Sequence, residues 1–163
     1  MTSDLSKIKN IRSKKKFTIS LAESCTGGMI SKYLTSINGS SLFFNGACIS
    51  YSNQMKTRLL KVPKNTIINY GAVSHQTALA MVKGLKIITD SEILLSVTGV
   101  AGPSGGTLRT PVGCVFFGIG SKINKKYTFK TAKKIFHEKT RHAIQKKSTE
   151  YAMYLILKEL KKI

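Results

Sequence analysis

Residues 17 to 28 read Phe17-Thr18-Ile19-Ser20-Leu21-Ala22-Glu23-Ser24-Cys25-Thr26-Gly27-Gly28, an apolar run that breaks into small polar residues. An amphipathic segment follows at once, with Met29, Ile30, Tyr33, Leu34 and Ile37 at helical spacing before Asn38-Gly39. Strand, tight turn, helix is the order this pattern predicts, with the strand over 17–22 and the helix from Gly28 to about Ile37. In an open α/β sheet such a turn leaves the carboxyl end of a strand, where the free N–H groups of the next helix favour anions and developing oxyanions. The turn offers two hydroxyls (Ser24, Thr26), a thiol (Cys25), a carboxylate (Glu23) and two glycines.

Outward from this turn the same grammar repeats. Residues 3–14 read as a helix with Leu5, Ile8 and Ile11 on one face. Leu42 to Tyr51 reads as a second strand, and the polar cluster Ser50-Tyr51-Ser52-Asn53 leads into Met55, Leu59 and Leu60 at helical spacing. Pro63 suits the start of a short helix ending near Tyr70-Gly71, and Ser74 the N-cap of another reaching about Ile88. Ile93 to Thr98 is a continuous apolar run, as for a strand buried on both faces. After it comes Gly99-Val100-Ala101-Gly102-Pro103-Ser104-Gly105-Gly106-Thr107, too long for a hairpin turn and of the kind that carries function. Segments 112–119 and 127–135 alternate and read as an antiparallel pair, and a last helix is expected over about 139–160. The fold class is therefore α/β, a layered domain with a mixed, mostly parallel sheet, occupying residues 1–163 as one unit.

Composition narrows the function classes. No run of about 18 apolar residues exists, so no membrane span is expected. The basic start, Lys7 to Lys16, is not followed by a small-residue cleavage site, so no signal peptide is expected. Cys25, Cys48 and Cys114 are widely spaced and form no C-x-x-C pair, which fits free thiols in the cytoplasm. The net charge of +20 invites a nucleic-acid reading, but of 27 basic residues only four are Arg, the residue on which bidentate recognition leans. The lysines are scattered without interleaved aromatic platforms, so no specific nucleic-acid partner is expected.

Several motifs are excluded by spacing. The 99–107 loop is neither G-x-G-x-x-G nor G-x-x-x-x-G-K-[ST]. His137 and His142 are five residues apart, about 500° around a helix, and cannot form the H-E-x-x-H zinc pair. No metal and no cofactor is expected. His75, His137 and His142 all lie away from the polar strand ends, which leaves no histidine base for Ser24. A lysine can serve instead if burial lowers its pKa, and Lys56, at the second strand-to-helix junction, is the candidate. A solvated helix lysine is the ordinary reading of such a residue. Cys25 rivals Ser24 as nucleophile, since a thiol at a helix N-terminus can ionise near neutral pH. The residues alone leave that choice open.

Four blocks in order resemble the CinA carboxy-terminal domain family: Ala22-Glu23-Ser24-Cys25-Thr26-Gly27-Gly28, then Tyr51-Ser52-Asn53-x-x-Lys56, then Gly71-Ala72-Val73-Ser74, then Thr98-Gly99-x-Ala101-Gly102-Pro103-x-Gly105-Gly106-Thr107 with Pro111-Val112-Gly113. The family includes stand-alone nicotinamide mononucleotide deamidases, and 163 residues leave no room for the extra amino-terminal domain of its larger members. The resemblance implies a three-layer α/β/α sandwich and hydrolysis of a nicotinamide nucleotide to nicotinic acid mononucleotide and ammonia, with Ser24 as nucleophile and Lys56 as base. On this reading N–H groups around Thr26, Gly27 and Gly28 hold the oxyanion, and Tyr51, Ser52 and Asn53 orient the lysine or the amide. Glu23, Thr98, Gly99, Ala101, Gly102, Gly105, Gly106 and Arg141 are the expected substrate-binding residues, the glycine-rich loop taking the phosphate through its N–H groups. Partners are then a small nucleotide and further copies of the chain in a homo-oligomer. The pattern F-x-G-D-R-x-x-V-R of the family is altered here: Arg141 matches its first arginine with one residue inserted, and Gln145 stands at the second. A noncatalytic domain serving competence or the DNA damage response is the alternative.

Overall fold

The structure is a computed structural model describing residues 2–163. Helix α1 (Thr2–Lys14) leads to β1 (Ile19–Glu23), α2 (Met29–Leu34), a 3-10 turn (Ser40–Leu42) and β2 (Phe44–Ile49). Three helices follow, α3 (Asn53–Leu60), α4 (Lys64–Tyr70) and α5 (His75–Ile88), then β3 (Ile93–Gly99), β4 (Cys114–Ile123), β5 (Lys126–Ile135) and α6 (Arg141–Leu160). The sheet order is β2-β1-β3-β4-β5. β1 pairs in parallel with β2 and β3, whereas β3–β4 and β4–β5 are antiparallel, so β4 alone runs against the other four strands.

Alternation along the strands builds the layers. Ile19 and Leu21 of β1 and Ile93, Leu95 and Val97 of β3 pack with Leu5 and Ile8 of α1, Ile30 and Leu34 of α2 and Ile144, Met153 and Ile156 of α6. Ala22 and Leu94 point the other way, against Leu60 of α3 and Met81, Val82 and Leu85 of α5. β3 is buried on both faces through Thr98, the reason its sequence is apolar without alternation. The result is a three-layer α/β/α arrangement.

Local chemistry sets the helix starts. Ser52, Ser74 and Thr140 each accept a hydrogen bond from the backbone N–H three residues on, capping α3, α5 and α6. Helix α2 is shorter than its apolar spacing predicts, ending at Leu34 rather than Ile37, and the chain turns through residues 35–39 into the 3-10 turn. The second strand is trimmed from 42–51 to Phe44–Ile49, because Ser50 to Ser52 turn to begin α3. At Gly84 of α5 a Cβ would lie 1.7 Å from the carbonyl oxygen of Leu60, so only glycine lets α3 pack this closely.

Because the chain leaves β1 toward β2 on one side and returns to β3 on the other, the carboxyl end of β1 is a topological switch point, where α/β sheets open a crevice. The ends of β1, β2 and β3 meet there.

Candidate active site

Ser24 is the first residue after β1, and Lys56 lies one turn into α3 beyond the end of β2. The two are 32 residues apart, and the parallel β1–β2 pairing brings them together with Nζ of Lys56 2.9 Å from Oγ of Ser24. Nζ also donates to the carbonyl oxygens of Ser50 at 3.0 Å and Tyr51 at 3.2 Å. Lys56 is 2 % exposed and, among the described residues, has no carboxylate within ion-pair distance. Burial therefore lowers its pKa from the ordinary lysine value. A neutral amine has two N–H donors and one lone pair. In the structure Nζ donates to Ser24 Oγ as well; once the amine sheds a proton, the two carbonyls can keep its donors and leave the lone pair facing the Ser24 hydroxyl.

Cys25, next in the chain, behaves differently. It is 5 % exposed, and burial pushes its thiol up to about 12. A thiol that keeps its proton at neutral pH is a weak nucleophile, so this burial favours the neighbouring Ser24 hydroxyl over Cys25.

Beneath this turn Glu23 organises the backbone. Its side chain is fully buried, and its carboxylate accepts from the Thr26 hydroxyl (2.6 Å), Gly28 N (3.0 Å), Ile30 N (3.3 Å), Ser31 N (2.8 Å) and the Ser31 hydroxyl (2.5 Å). The first N–H groups of α2 are thus satisfied by a side chain from the preceding strand. Gly28, at φ +98°, supplies the left-handed step that turns its N–H toward the carboxylate.

Above Ser24 and Lys56 is a cavity of about 280 Å³, walled by Thr98 and Gly99 at the end of β3 and the loop that follows, by Ala72 and Val73 ahead of α5, and by Tyr51, Asn53 and Arg141. Arg141 joins three segments: its guanidinium donates to the Gly102 carbonyl at 2.9 Å and to the Tyr51 hydroxyl oxygen at 2.6 Å. One turn later Gln145 donates to the Cys25 carbonyl at 2.9 Å, tying α6 to the nucleophile turn.

With this geometry the comparisons become specific: residues 3–160 match the CinA C-terminal domain. The chain belongs to that family. It is 46% identical over 145 residues to a CinA-like protein of Petrotoga mobilis, covering 89% of this chain and 35% of that one. A CinA-like protein of Leptospira biflexa is 43% identical over 146 residues, covering 90% and 34%. The chain spans about a third of the length of these curated relatives. Among solved structures, the competence/damage inducible protein CihA from Agrobacterium tumefaciens superposes with a TM-score of 0.88 at 31% identity, over 95% of this chain and 92% of that one. The competence damage-inducible protein A of Klebsiella pneumoniae shares the fold at a TM-score of 0.87 and 24% identity, over 97% and 95%.

In this CinA domain the expected site residues fall into three groups. Ser24, Lys56, Tyr51, Asn53, Thr98, Gly99, Ala101, Gly102, Gly105 and Arg141 come together around the cavity. Four do not act as expected. Glu23 faces α2 rather than a ligand, since five protein donors occupy its oxygens. Gly27 and Gly28 keep no free N–H for an oxyanion, because these donate to Ser24 O and Glu23 Oε2. Ser52 caps α3 through Met55 N instead of orienting the lysine. Two others are packing or remain available. A Cβ at Gly106 would lie 2.8 Å from Val112 N, so this glycine lets the loop close on its own base. The N–H of Thr26 meets no acceptor among the described residues, and its hydroxyl is held by Glu23. Sequence reasoning missed Val100, Ser104, Ala72 and Val73 as lining residues and Gln145 as the tie to Cys25. The Gly71-Ala72-Val73-Ser74 block was the available signal for two of them.

No helix among the described residues is long and apolar enough to cross a membrane.

Proposed function

We propose that this CinA domain is a serine amidohydrolase that deamidates nicotinamide mononucleotide to nicotinic acid mononucleotide and ammonia, in the reducing cytoplasm where its three free cysteines stay thiols. The observation that carries the reading is the buried lysine 2.9 Å from a serine hydroxyl, with two carbonyls fixing its remaining hydrogens. Burying an amine without a carboxylate destabilises a fold, and a purely binding or regulatory domain gains nothing from it. A hydrolase gains a base whose pKa burial has lowered from the ordinary lysine value.

Neutral Lys56 takes the Ser24 proton as Oγ attacks the carboxamide carbon. The carbonyl π electrons move to oxygen, and the Thr26 N–H is a donor in the turn available to receive that oxyanion; one such donor contributes about 3 kcal/mol in comparable sites. As the tetrahedral adduct collapses, the C–N bond breaks and the lysine ammonium returns its proton to the nitrogen, releasing ammonia. A water then loses a proton to Lys56, adds to the ester carbon and expels Ser24 Oγ, which recovers the proton. Every proton passes through one atom, Nζ, and nothing is oxidised or reduced. Arg141 and the 99–105 loop close the cavity over the sugar.

Ammonia release from nicotinamide mononucleotide by the purified chain is the direct test. Turnover that disappears in Ser24→Ala and in Lys56→Ala supports the reading. Absence of turnover in the parent chain, or turnover that survives Ser24→Ala, overturns it.

A further inference from the structure

Resting on the nucleotide reading above, one question remains: which part of the surface takes the phosphate. The catalytic cavity of about 280 Å³ lies just below the usual span for small-molecule sites, about 300–1,000 Å³. Thr98, Lys56 and Ser24 are its most deeply buried polar groups, at 1 %, 2 % and 6 % exposure, so an amide that reaches Ser24 and Lys56 enters first and the opposite end of the ligand points outward.

Asn53 lines this cavity and also a second hollow of about 430 Å³ between α3 and α4. The second hollow presents Arg58 and Lys64, the polar side chains of Gln54 and Thr57, and the apolar Ile67 and Ile68. Among the described residues neither Arg58 nor Lys64 is within 4 Å of a carboxylate. By contrast, the guanidinium of Arg141 in the catalytic cavity already serves Gly102 and Tyr51. In the glycine-rich loop the N–H groups of Val100 and Thr107 are taken by Cys114 O and Thr110 O, while those of Ala101, Gly102, Ser104 and Gly105 meet no acceptor among the described residues and offer dipoles without a charge. The loop carries no cation until Arg109, outside the cavity lining.

We infer that the α3–α4 hollow is a phosphate subsite, in which Arg58 and Lys64 receive the anionic tail of a nucleotide whose amide lies at Ser24. The ribose then passes over Asn53. Placing the anion on the helix that carries Lys56 also separates the two demands on the site: a charged binding edge open to water, and a dry interior that keeps the base neutral.

The experiment compares nicotinamide mononucleotide with nicotinamide riboside, which differs only in lacking the phosphate, on the parent chain, Arg58→Ala, Lys64→Ala and the double variant. The expected result is a rise in KM for the mononucleotide of about tenfold per cation removed, with kcat held. For the riboside, which has no phosphate to lose, kcat/KM stays within about twofold of the parent. Equal effects on both compounds, or no effect on either, overturn the subsite. So does an Arg141→Ala chain in which the preference for phosphate disappears while Arg58→Ala, Lys64→Ala keeps it. If neither compound is hydrolysed, the amidohydrolase reading fails separately, and calorimetric binding of the two compounds decides the subsite. Weakening of mononucleotide binding alone by the double substitution supports it; identical binding by parent and double variant, or none by either, overturns it.

Discussion

Replacing Lys56 by arginine keeps a positive charge while removing the ability to take a proton, and so separates base from electrostatic anchor. Guanidinium holds its proton at any working pH, so the substituted side chain would offer Ser24 only donors. A positioned general base contributes about 10²–10⁴-fold, and the 2.9 Å contact with its two supporting carbonyls is a well-positioned one. The expected fall in kcat for Lys56→Arg is therefore about 10²–10⁴-fold, nearly as deep as for Lys56→Ala. Steric strain adds to it, since the site is 2 % exposed and extra atoms in a packed interior cost about 1–3 kcal/mol. Circular dichroism and thermal melts on the same samples separate lost chemistry from lost folding. The assay is ammonia release against pH. Because burial lowers the lysine pKa, kcat/KM of the parent chain should climb tenfold per pH unit while Lys56 sheds its proton and level off below the ordinary value of 10.5. An arginine variant within tenfold of the parent, with the same pH profile, would remove Lys56 from proton transfer. If the lysine merely attracts an anion, Lys56→Ala should raise KM and spare kcat.

The same lowered pKa links to stability: between the folded value and 10.5 the unfolded chain keeps a proton that the folded chain has released, so stability rises with pH across that window. Denaturant melts of the parent against Lys56→Met should show the difference moving in the parent's favour as pH increases, and a pH-independent difference would contradict the shift. Cys25→Ala should retain most turnover, and Cys25 should resist alkylation at pH 8 in a mass-spectrometric map, because its thiol is held near 12; rapid labelling with loss of activity would favour the thiol as nucleophile. Glu23→Ala removes the acceptor of three backbone N–H groups and two hydroxyls, and should cost about 3–5 kcal/mol in urea unfolding, a cost of under 1 kcal/mol being the refuting result. Gly84→Ala forces α5 off the Leu60 carbonyl and should destabilise by about 1–3 kcal/mol while lowering kcat through displacement of α3; an unchanged melting temperature would show that the two helices part freely.

Periodicity and punctuation were enough to place the elements. The apolar run at 93–98, the N-caps Ser74 and Ser52 and the glycine-rich 99–107 segment are all local signals, because hydrogen-bonded helices and strands impose their spacing on neighbouring residues. The polar strand ends offered Lys56 as a base and Ser24 against Cys25 as nucleophile, and family resemblance chose Ser24, but no residue type announces its protonation state. That depends on what surrounds it in space. Only the folding of β1 beside β2 puts Nζ against Oγ, dries the lysine and points its hydrogens at two carbonyls. The same burial disarms Cys25, one residue away in sequence and chemically the stronger nucleophile when ionised. Glu23 shows the converse: from sequence it is one more polar group in a reactive turn, whereas the packing of α2 on β1 turns it inward to hold backbone N–H groups. Sequence dictates local conformation through short-range sterics and hydrogen bonding; desolvation and the direction of a side chain are set by elements tens of residues away, and those placed Lys56, Cys25 and Glu23 in environments their sequence positions do not announce.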